Sequence, residues 1–165
     1  MTLLRHAEDA DLDAILAIHN DAIAHSRAIW TDAQVDRRER EEWLATRREA
    51  GHPVIVADVD GAVAGYASYG PWRHKSGYRY TVEDSIYLDG RFRGQGIGAQ
   101  LLGELIGLAR SAGMRVMIAD IESGNTASIR LHERFGFTHV GTLRHVGTKF
   151  DERLDLAILQ LPLED

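Results

Sequence analysis

Three glycines, Gly94, Gly96 and Gly98, alternate where a helix is expected to begin, directly behind Arg91 and Arg93. Glycine is a poor residue for a helix start on propensity alone, so this spacing indicates that a ligand approaches the backbone closely. Unobstructed backbone N–H groups at the positive end of a helix dipole bind phosphate, and the two arginines add charge. The alternative is a tight strand-to-helix connection whose glycines serve only packing.

Two classes of phosphate-bearing cofactor fit this turn. Gly94, Gly96 and Ala99 satisfy the dinucleotide-binding fingerprint, and Asp120 lies roughly where that motif places an acidic ribose ligand. Against that class, the fingerprint normally opens its domain, whereas a hairpin and two helices are predicted upstream of it here. A Walker phosphate loop is excluded because no Gly-Lys-Ser/Thr occurs. The second class, acyl-coenzyme A donors with a similar diphosphate, is implied by a family resemblance of residues 93–98 and 125–137.

Length and composition limit the other possibilities. A chain of 165 residues with 44% hydrophobic content predicts one domain over residues 1–165. The absence of cysteine suits a reducing interior, and no segment is long and apolar enough to span a bilayer, so we expect a cytoplasmic protein without membrane partners. A net charge of −6 argues against nucleic-acid binding. The histidines show no metal-ligand spacing, so no metal is expected.

The elements around the glycine turn predict the fold class. Strands are predicted on both sides of Asp60-Gly61, a dipeptide that readily forms tight hairpins. A strand over 82–88, the glycine turn, a helix over 98–112 and a buried strand after it make a β-α-β unit. A charged helix over 36–50 is expected to face solvent, and a helix over 125–134 precedes two closing strands. The sequence therefore predicts an α/β protein, a mixed sheet with helices on both faces.

Two segments in the right order resemble a known superfamily. The stretch RGQGIG, residues 93–98, resembles the [Q/R]-x-x-G-x-[G/A] signature of the GNAT superfamily of N-acetyltransferases. NTASIRLHERFGF, residues 125–137, is similar to that superfamily's N-x-x-[A/S]-x-x-L-Y-x-x-x-G-F segment, with His132 in place of a common tyrosine. GYASYGPWR, TVEDSIYL and VGTKFDERLDLAILQL resemble its phosphinothricin and methionine sulfoximine acetyltransferase branch, although FDERLDL lacks the glycine and tryptophan common in relatives. The similarity covers about the whole chain and implies the GNAT acyl-CoA N-acyltransferase fold.

The resemblance implies that Glu83 accepts the proton of an amine, directly or through water. Because side chains alternate along a strand, Glu83 and Ser85 share one face while Asp84 lies on the other. Without the resemblance, Glu83 reads as a solvent-facing or salt-bridged acid. His132 is implied to be an acid toward sulfur or a hydrogen-bonding group for a ligand, and the alternative is a helix histidine that serves packing.

The resemblance also implies acetyl-CoA as cosubstrate, held by a defined set of residues. Asn125 and Ser128 are implied donor contacts, although Asn125 also suits a helix cap and Ser128 an ordinary exposed serine. Backbone near Ile86 is implied to pair with the pantetheine arm. The full set is Ile86, Tyr87, Leu88, Arg93, Gly94, Gln95, Gly96, Ile97, Gly98, Ala99, Asn125 and Ser128.

The loop before Glu83 is implied to bind the acceptor. Its cations suit the carboxylate of an amino acid or the oxygens of a phosphinic or sulfone group, and the alternative is a solvated basic loop. Trp30 is expected in the core rather than in the pocket wall. The implied acceptor residues are Arg73, His74, Lys75, Glu83, Asp84 and Ser85.

The implied activity is direct acetyl transfer from acetyl-CoA to the α-amino group of a small amino-acid analogue, such as phosphinothricin, methionine sulfoximine or methionine sulfone. One alternative is acetylation of a protein N-terminus or lysine. A second is a non-catalytic regulator that binds coenzyme A or a dinucleotide. The resemblance further implies a homodimer whose acceptor pocket lies near the subunit contact.

Overall fold

The computed structural model describes residues 1–164, which form seven strands and four α-helices. Asp165, the last residue of the predicted domain, lies outside the described residues. The strands are β1 (Thr2–His6), β2 (Val54–Val59), β3 (Ala62–Pro71), β4 (Thr81–Leu88), β5 (Val116–Glu122), β6 (Thr138–Lys149) and β7 (Glu152–Pro162). The helices are α1 (Leu12–His25), α2 (Arg37–Glu49), α3 (Ile97–Ser111) and α4 (Thr126–Arg134).

All seven strands belong to one mixed sheet in the order β1-β2-β3-β4-β5-β7-β6. Every neighbouring pair is antiparallel except β4 and β5, which are parallel and joined by α3, as the β-α-β prediction requires. This parallel pair is short, because only residues 81–83 of β4 pair with residues 116–118 of β5. Both strands continue beyond that point without pairing to each other. The sheet therefore opens between the carboxyl ends of β4 and β5.

Helices cover both faces of the sheet, as predicted. On one face α3 packs with Leu101, Leu102 and Leu105 fully buried, and α4 lies beside α3. On the other face Leu12 and Ile15 of α1 and Leu44 of α2 form a second, smaller core against β2 and β3. Because both faces are covered, the first four residues of β2 are buried without alternation.

The predicted hairpin is confirmed between β2 and β3. Asp60 and Gly61 have φ values of 52° and 87°, which is the pair of positive angles that a type I′ turn needs. The antiparallel register continues through β4, where Gly70 lies opposite Glu83. The hairpin therefore places β3 directly beside the strand that carries the predicted base.

Helix α2 corrects one expectation. Asp36 caps the helix by accepting a hydrogen bond from the Glu39 backbone N–H at 2.9 Å, as its start signal suggests. The helix was expected to face solvent, but Arg40 is only 5% exposed. Arg40 is tolerated there because Glu39 accepts from its guanidinium at 2.7 Å and the guanidinium carbon lies 4.5 Å from the Trp43 ring centre. The expectation of a solvent-facing helix is wrong for that face.

A buried lysine joins the end of α1 to β6. Lys149 is 1% exposed, and its Nζ donates to the backbone carbonyls of Ile23, Ile29 and Thr31 at 2.6, 2.7 and 2.7 Å. An ammonium has three hydrogens to donate, so all three are used. Lys149 therefore fixes residues 23–31, the segment that follows α1 and includes Ala28.

Within residues 1–164, no helix combines the length and the apolarity needed to cross a bilayer.

Candidate active site

A cleft of about 150 Å³ lies where β4 and β5 separate. It brings together eight of the predicted site residues, from β4, α4 and the residue that caps α4. The predicted residues that line it are Glu83, Asp84, Ser85, Ile86, Tyr87, Asn125, Ser128 and His132. Because the strands end their pairing here, backbone groups of β4 beyond Glu83 have no partner in β5. The cleft therefore offers both side chains and strand backbone to a ligand.

Glu83 is the predicted base, and its surroundings suit that role. Burial is the main cause that raises the pKa of Glu83 to about 7, with smaller contributions from the negative charges of Asp120 and Asp84. The positive charge of Arg47 opposes them. A carboxylate with a pKa near 7 can both accept and release a proton at neutral pH. The alternative of a solvent-facing or salt-bridged acid does not fit this partly buried carboxylate.

Asp84 points away from Glu83, as strand alternation predicts, and meets His132. The Asp84 Oδ2 lies 2.8 Å from His132 Nε2, and their side chains are 2% and 5% exposed. His132 Nδ1 lies 2.8 Å from the Ser128 carbonyl oxygen, which only accepts, so Nδ1 donates. Asp84 and His132 therefore share a proton in the wall of the cleft.

The environment of His132 favours its charged form. Burial acts to lower the pKa of His132, but the hydrogen bond and charge of Asp84 outweigh it and raise the pKa above its ordinary value. The ring also packs edge-on against Phe137, with centres 4.9 Å apart. His132 thus has the packing role that was the alternative interpretation, while its role toward a thiolate stays a prediction.

The glycine turn divides its glycines between two tasks. Gly94 and Gly96 have φ values of 75° and 78°, where a side chain is strained, so they are needed for the turn itself. Gly98 lies inside α3, where an added Cβ would approach Leu131 of α4 to 3.4 Å. Gly98 therefore serves helix packing, which was the alternative for the whole turn. The helix begins at Ile97, one residue before the predicted start.

The turn fits a diphosphate. Gly96 caps α3 without a side chain, so no side-chain cap occupies the first N–H groups of this 15-residue helix. An added Cβ at Gly94 or Gly96 would meet no atom within 4 Å, which leaves open space over the backbone. Arg93 is exposed beside the turn, whereas Arg91 is held by Asp89 at 2.6 Å. The residues of the turn thus fit the diphosphate of a coenzyme A donor.

Not all predicted residues line the cleft. Leu88 and residues 93–99 lie further along the chain, leading from β4 into α3, and so extend the site rather than line this opening. The loop residues Arg73, His74 and Lys75 are exposed. The Arg73 guanidinium carbon lies 4.5 Å from the Trp72 ring centre, and its charge acts on Asp120.

The structure adds residues that sequence reasoning missed. Asp120 of β5 lines the cleft on the face of Glu83, where burial and the charge of Asp84 raise its pKa against the opposing effect of Arg73. Its signal was an acid inside an otherwise apolar strand, but we interpreted it only as a possible ribose ligand. Arg47 of α2, whose charge reaches Glu83, had no signal among the many arginines of its helix.

Trp30 is neither core nor cleft wall. It is half-buried, its Nε1 donates to the Arg27 carbonyl at 2.8 Å, and its ring lies on Gly147, where a Cβ would overlap it. The expectation that Trp30 belongs to the core is therefore wrong, because the ring packs on the surface of β6. Ala28, two residues before it, lines the cleft instead.

No group of three or more metal-ligating side chains is placed to hold an ion within the described part of the chain.

Comparison with known proteins identifies what the chain resembles. Residues 13–137 match the model of the acetyltransferase (GNAT) family. The chain is 51% identical over 162 residues to the L-methionine sulfoximine/L-methionine sulfone acetyltransferase of Pseudomonas aeruginosa, covering 98% of this chain and 94% of that protein. It is 38% identical over 161 residues to the phosphinothricin N-acetyltransferase of Alcaligenes faecalis, covering 97% and 82%.

Two solved structures share the fold closely. A Salmonella typhimurium acetyltransferase with its cofactor acetyl-CoA has a TM-score of 0.98 and 46% identity, covering 100% of this chain and 95% of that one. The ribosomal-protein-alanine N-acetyltransferase from Brucella melitensis has a TM-score of 0.96 and 50% identity, covering 97% and 99%.

Proposed function

Because the chain belongs to the acetyltransferase (GNAT) family, we propose that it transfers the acetyl group of acetyl-CoA to the α-amino group of a small amino-acid analogue. The candidate acceptors are methionine sulfoximine, methionine sulfone and phosphinothricin, which appear in the names of relatives. The resemblance of residues 93–98 and 125–137 to this superfamily, and the mixed α/β fold that it implied, are confirmed. The observation that carries the proposal is Glu83, with a pKa of about 7, in the cleft between β4 and β5.

Glu83 is the proposed base. An α-amino group is mostly protonated at neutral pH, since even at a peptide N-terminus its pKa is about 8, and the protonated form cannot attack a carbonyl. Glu83 accepts that proton, the amine nitrogen forms a bond to the thioester carbon, and the carbon–sulfur bond breaks. The transfer is direct, with no acetyl group on the protein. The partly buried site raises the pKa of Glu83 to about 7, which suits a base that works near neutral pH.

The departing thiolate needs one proton, and His132 is the proposed source. The Asp84–His132 pair holds a proton in the wall of the same cleft, and the raised pKa of His132 keeps it available at neutral pH. Because Nε2 is bonded to Asp84, donation requires that hydrogen bond to break or the proton to pass through the carboxylate. The ammonium nitrogen loses two protons on becoming an amide: one passes through Glu83 to solvent, and the other replaces the proton that His132 gives to sulfur.

Acetyl-CoA binds, in this proposal, along the backbone that runs from β4 through the glycine turn. The turn from Arg93 to Ala99 holds the diphosphate, and unpaired backbone at residues 86–88 holds the pantetheine arm. The side-chain oxygen of Asn125 accepts from the Ser128 N–H at 3.2 Å, which leaves its amide N–H groups for the donor. The capping and donor-binding roles of Asn125 can therefore coexist.

The acceptor side is proposed to involve Arg73, His74, Lys75 and Ser85. The exposure of these three loop residues supports this, and the charge of Arg73 acts on Asp120 in the cleft. The name of the Brucella melitensis structure favours a second candidate, acetylation of an alanine N-terminus of a protein. An exposed basic loop is compatible with either acceptor, so the acceptor must be measured.

A homodimer is proposed on the basis of β6. This strand is at the edge of the sheet, and Val140, Leu143 and Val146 are 58%, 47% and 52% exposed on it. An apolar edge strand pairs readily with another chain, and a second copy covers it in this proposal. A cytoplasmic location, with no nucleic-acid or membrane partner, is proposed with it because the proposed donor is an intracellular metabolite.

An acceptor screen tests the function. Release of the coenzyme A thiol is followed with methionine sulfone, methionine sulfoximine, phosphinothricin, lysine and a peptide that begins with alanine. The highest kcat/KM is expected for one of the first three. A higher value for the peptide or for lysine would replace the proposal with protein acetylation. No turnover, together with binding of NAD but not acetyl-CoA in calorimetry, would favour the non-catalytic regulator.

A further inference from the structure

The Arg47 side chain on α2 is a half-buried cation without a hydrogen-bond partner. Its Nε is fully enclosed and bonds to nothing within residues 1–164. Burial and the nearby charge of Arg40 lower its pKa, so the surroundings do not compensate its charge. A buried donor left unpaired is costly, and guanidinium groups in folded proteins normally find an acceptor. The site thus has an unsatisfied cation beside the proposed base.

The backbone of β3 places this guanidinium on the same face as Glu83. An added Cβ on Gly70 would come within 2.5 to 2.6 Å of three guanidinium atoms of Arg47, so the group lies flat on Gly70. Gly70 lies directly opposite Glu83 in the β3–β4 ladder. Opposite residues of an antiparallel pair direct their side chains to the same face. Arg47 and Glu83 are therefore neighbours across the ladder.

The two groups are neighbours but not an ion pair. No carboxylate of the described residues lies within 4.0 Å of the Arg47 side chain, although its charge acts on Glu83. The other arginines of the region differ in this respect. Arg40 is paired with Glu39, and Arg73 is exposed over Trp72. A gap between a base and a free cation suits a small ligand that carries an amine and an anion a few bonds apart.

We propose that Arg47 binds the α-carboxylate of the acceptor, which makes the substrate a free α-amino acid rather than a peptide N-terminus or a lysine side chain. This inference rests on the proposed function. With the amine at Glu83, the carboxylate of the same molecule is two bonds away, and the planar guanidinium can hold both its oxygens. A peptide N-terminus has an amide there and a lysine ε-amine has no neighbouring anion, so neither satisfies Arg47.

The test compares methionine sulfone with its carboxamide, which keeps the amine and the sulfone but has no negative charge. In the unaltered enzyme, kcat/KM for the carboxamide is expected to be lower by about 10- to 100-fold. In Arg47→Met, kcat/KM for methionine sulfone should fall to the value for the carboxamide. The value for the carboxamide itself should change little. Arg38→Met on the same helix, where Arg38 is exposed and paired with Glu42, should retain the discrimination.

The remaining outcomes decide the matter. Arg47 does not bind the carboxylate if Arg47→Met lowers kcat/KM equally for methionine sulfone and its carboxamide. The same conclusion follows if Arg73→Met, rather than Arg47→Met, removes the difference between the two compounds. Arg47→Lys keeps a charge but loses the two-pronged contact, so it should raise KM for methionine sulfone and not for the carboxamide. This variant replaces Arg47→Met as the test if Arg47→Met does not fold. Failure of the proposed function looks different, because the unaltered enzyme would then acetylate neither compound.

Discussion

The proposed donor side and the proposed acceptor side of the cleft are built in different ways. The donor side is nearly continuous in sequence, running from Ile86 through the glycine turn into α3, and it works mainly through backbone. The proposed acceptor side collects side chains from separate elements: Glu83 of β4 and Asp120 of β5 line the cleft, and Arg47 of α2 acts on Glu83 through its charge. A ligand held by contiguous backbone leaves a motif in the sequence. A ligand held by scattered side chains does not.

The two sides also differ in how their chemistry arises. The anion site of the turn follows from local geometry, because positive φ angles at Gly94 and Gly96 and a helix start are sufficient. The pKa of Glu83 follows from burial and from two acids and an arginine, none of which is local apart from Asp84. Substitutions on the acceptor side should therefore change rate and acceptor affinity, and those on the donor side should change acetyl-CoA affinity.

Glu83→Gln is the strongest test of this separation. Loss of the base should lower kcat by about 10²- to 10⁴-fold, while the Kd for acetyl-CoA stays the same in calorimetry. In the unaltered enzyme, kcat/KM should rise with pH through about 7, as Glu83 loses its proton and can act as base. The variant should lack that rise. An unchanged pH profile would remove Glu83 as the base.

Asp84→Asn tests the pair between the two sides. Removing one partner of a buried pair should lower the free energy of unfolding by about 3 kcal/mol, measured with urea. Because the pKa of His132 is raised in the fold, the pair's contribution is complete below about pH 6.5 and is lost as the pH rises past that raised pKa. The difference in free energy of unfolding between the unaltered protein and Asp84→Asn should therefore be larger at pH 6 than at pH 9. Equal differences at the two pH values would contradict this account of the pair.

Lys149→Met should weaken the acceptor side alone. Three backbone carbonyls lose a charged donor that is itself buried, so the free energy of unfolding should fall by about 2–3 kcal/mol in urea denaturation. Residues 23–31 are no longer held in place in this variant. The KM for the acceptor should therefore rise, while the KM for acetyl-CoA should stay the same. Lys75→Met, at an exposed lysine, should change the unfolding free energy by no more than about 0.5 kcal/mol. A higher KM for acetyl-CoA in Lys149→Met would mean that the donor side and the acceptor side are coupled.

Gly96→Ala should weaken only the binding of acetyl-CoA, and its effect should be smaller than that of Lys149→Met. A side chain at a φ of 78° costs about 1–2 kcal/mol, and acetyl-CoA affinity should fall by about tenfold in calorimetry. The matched control is Gly107→Ala on the exposed face of α3, where an added Cβ meets no atom within 4 Å. It should stabilise the protein by about 0.5–1 kcal/mol. Unchanged stability and unchanged acetyl-CoA affinity in Gly96→Ala would show that the turn has no special requirement for glycine.

Several features of the fold were predictable because local chemistry determines them. Asp60-Gly61 specifies a hairpin wherever the flanking strands are apolar, and glycines before an apolar helix specify the turn. The opposite faces of Glu83 and Asp84 follow from strand alternation. These conclusions need no knowledge of distant residues, and the structure agrees with each of them.

The acceptor side was less predictable because its properties come from tertiary packing. Arg40 was expected in solvent, but Glu39 and Trp43 make its burial possible, and no spacing rule separates Arg40 or Arg47 from the other arginines of α2. The sequence indicated Asp120 only as a possible ribose ligand, because its relation to Glu83 depends on where β4 and β5 separate. The prediction that Trp30 lies in the core was wrong for the same reason, because its packing partner Gly147 is far along the chain.

The burial of Lys149 also affects which amines the protein itself exposes. The sequence contains two lysines, Lys75 and Lys149, and the second is sealed by three carbonyls. A protein that handles an acetylating agent thus presents only one lysine side chain to it. Amine-directed labelling of the native protein should modify Lys75 and spare Lys149. Labelling of Lys149 would then report opening of the contact between α1 and β6, so this lysine is a built-in probe of local unfolding.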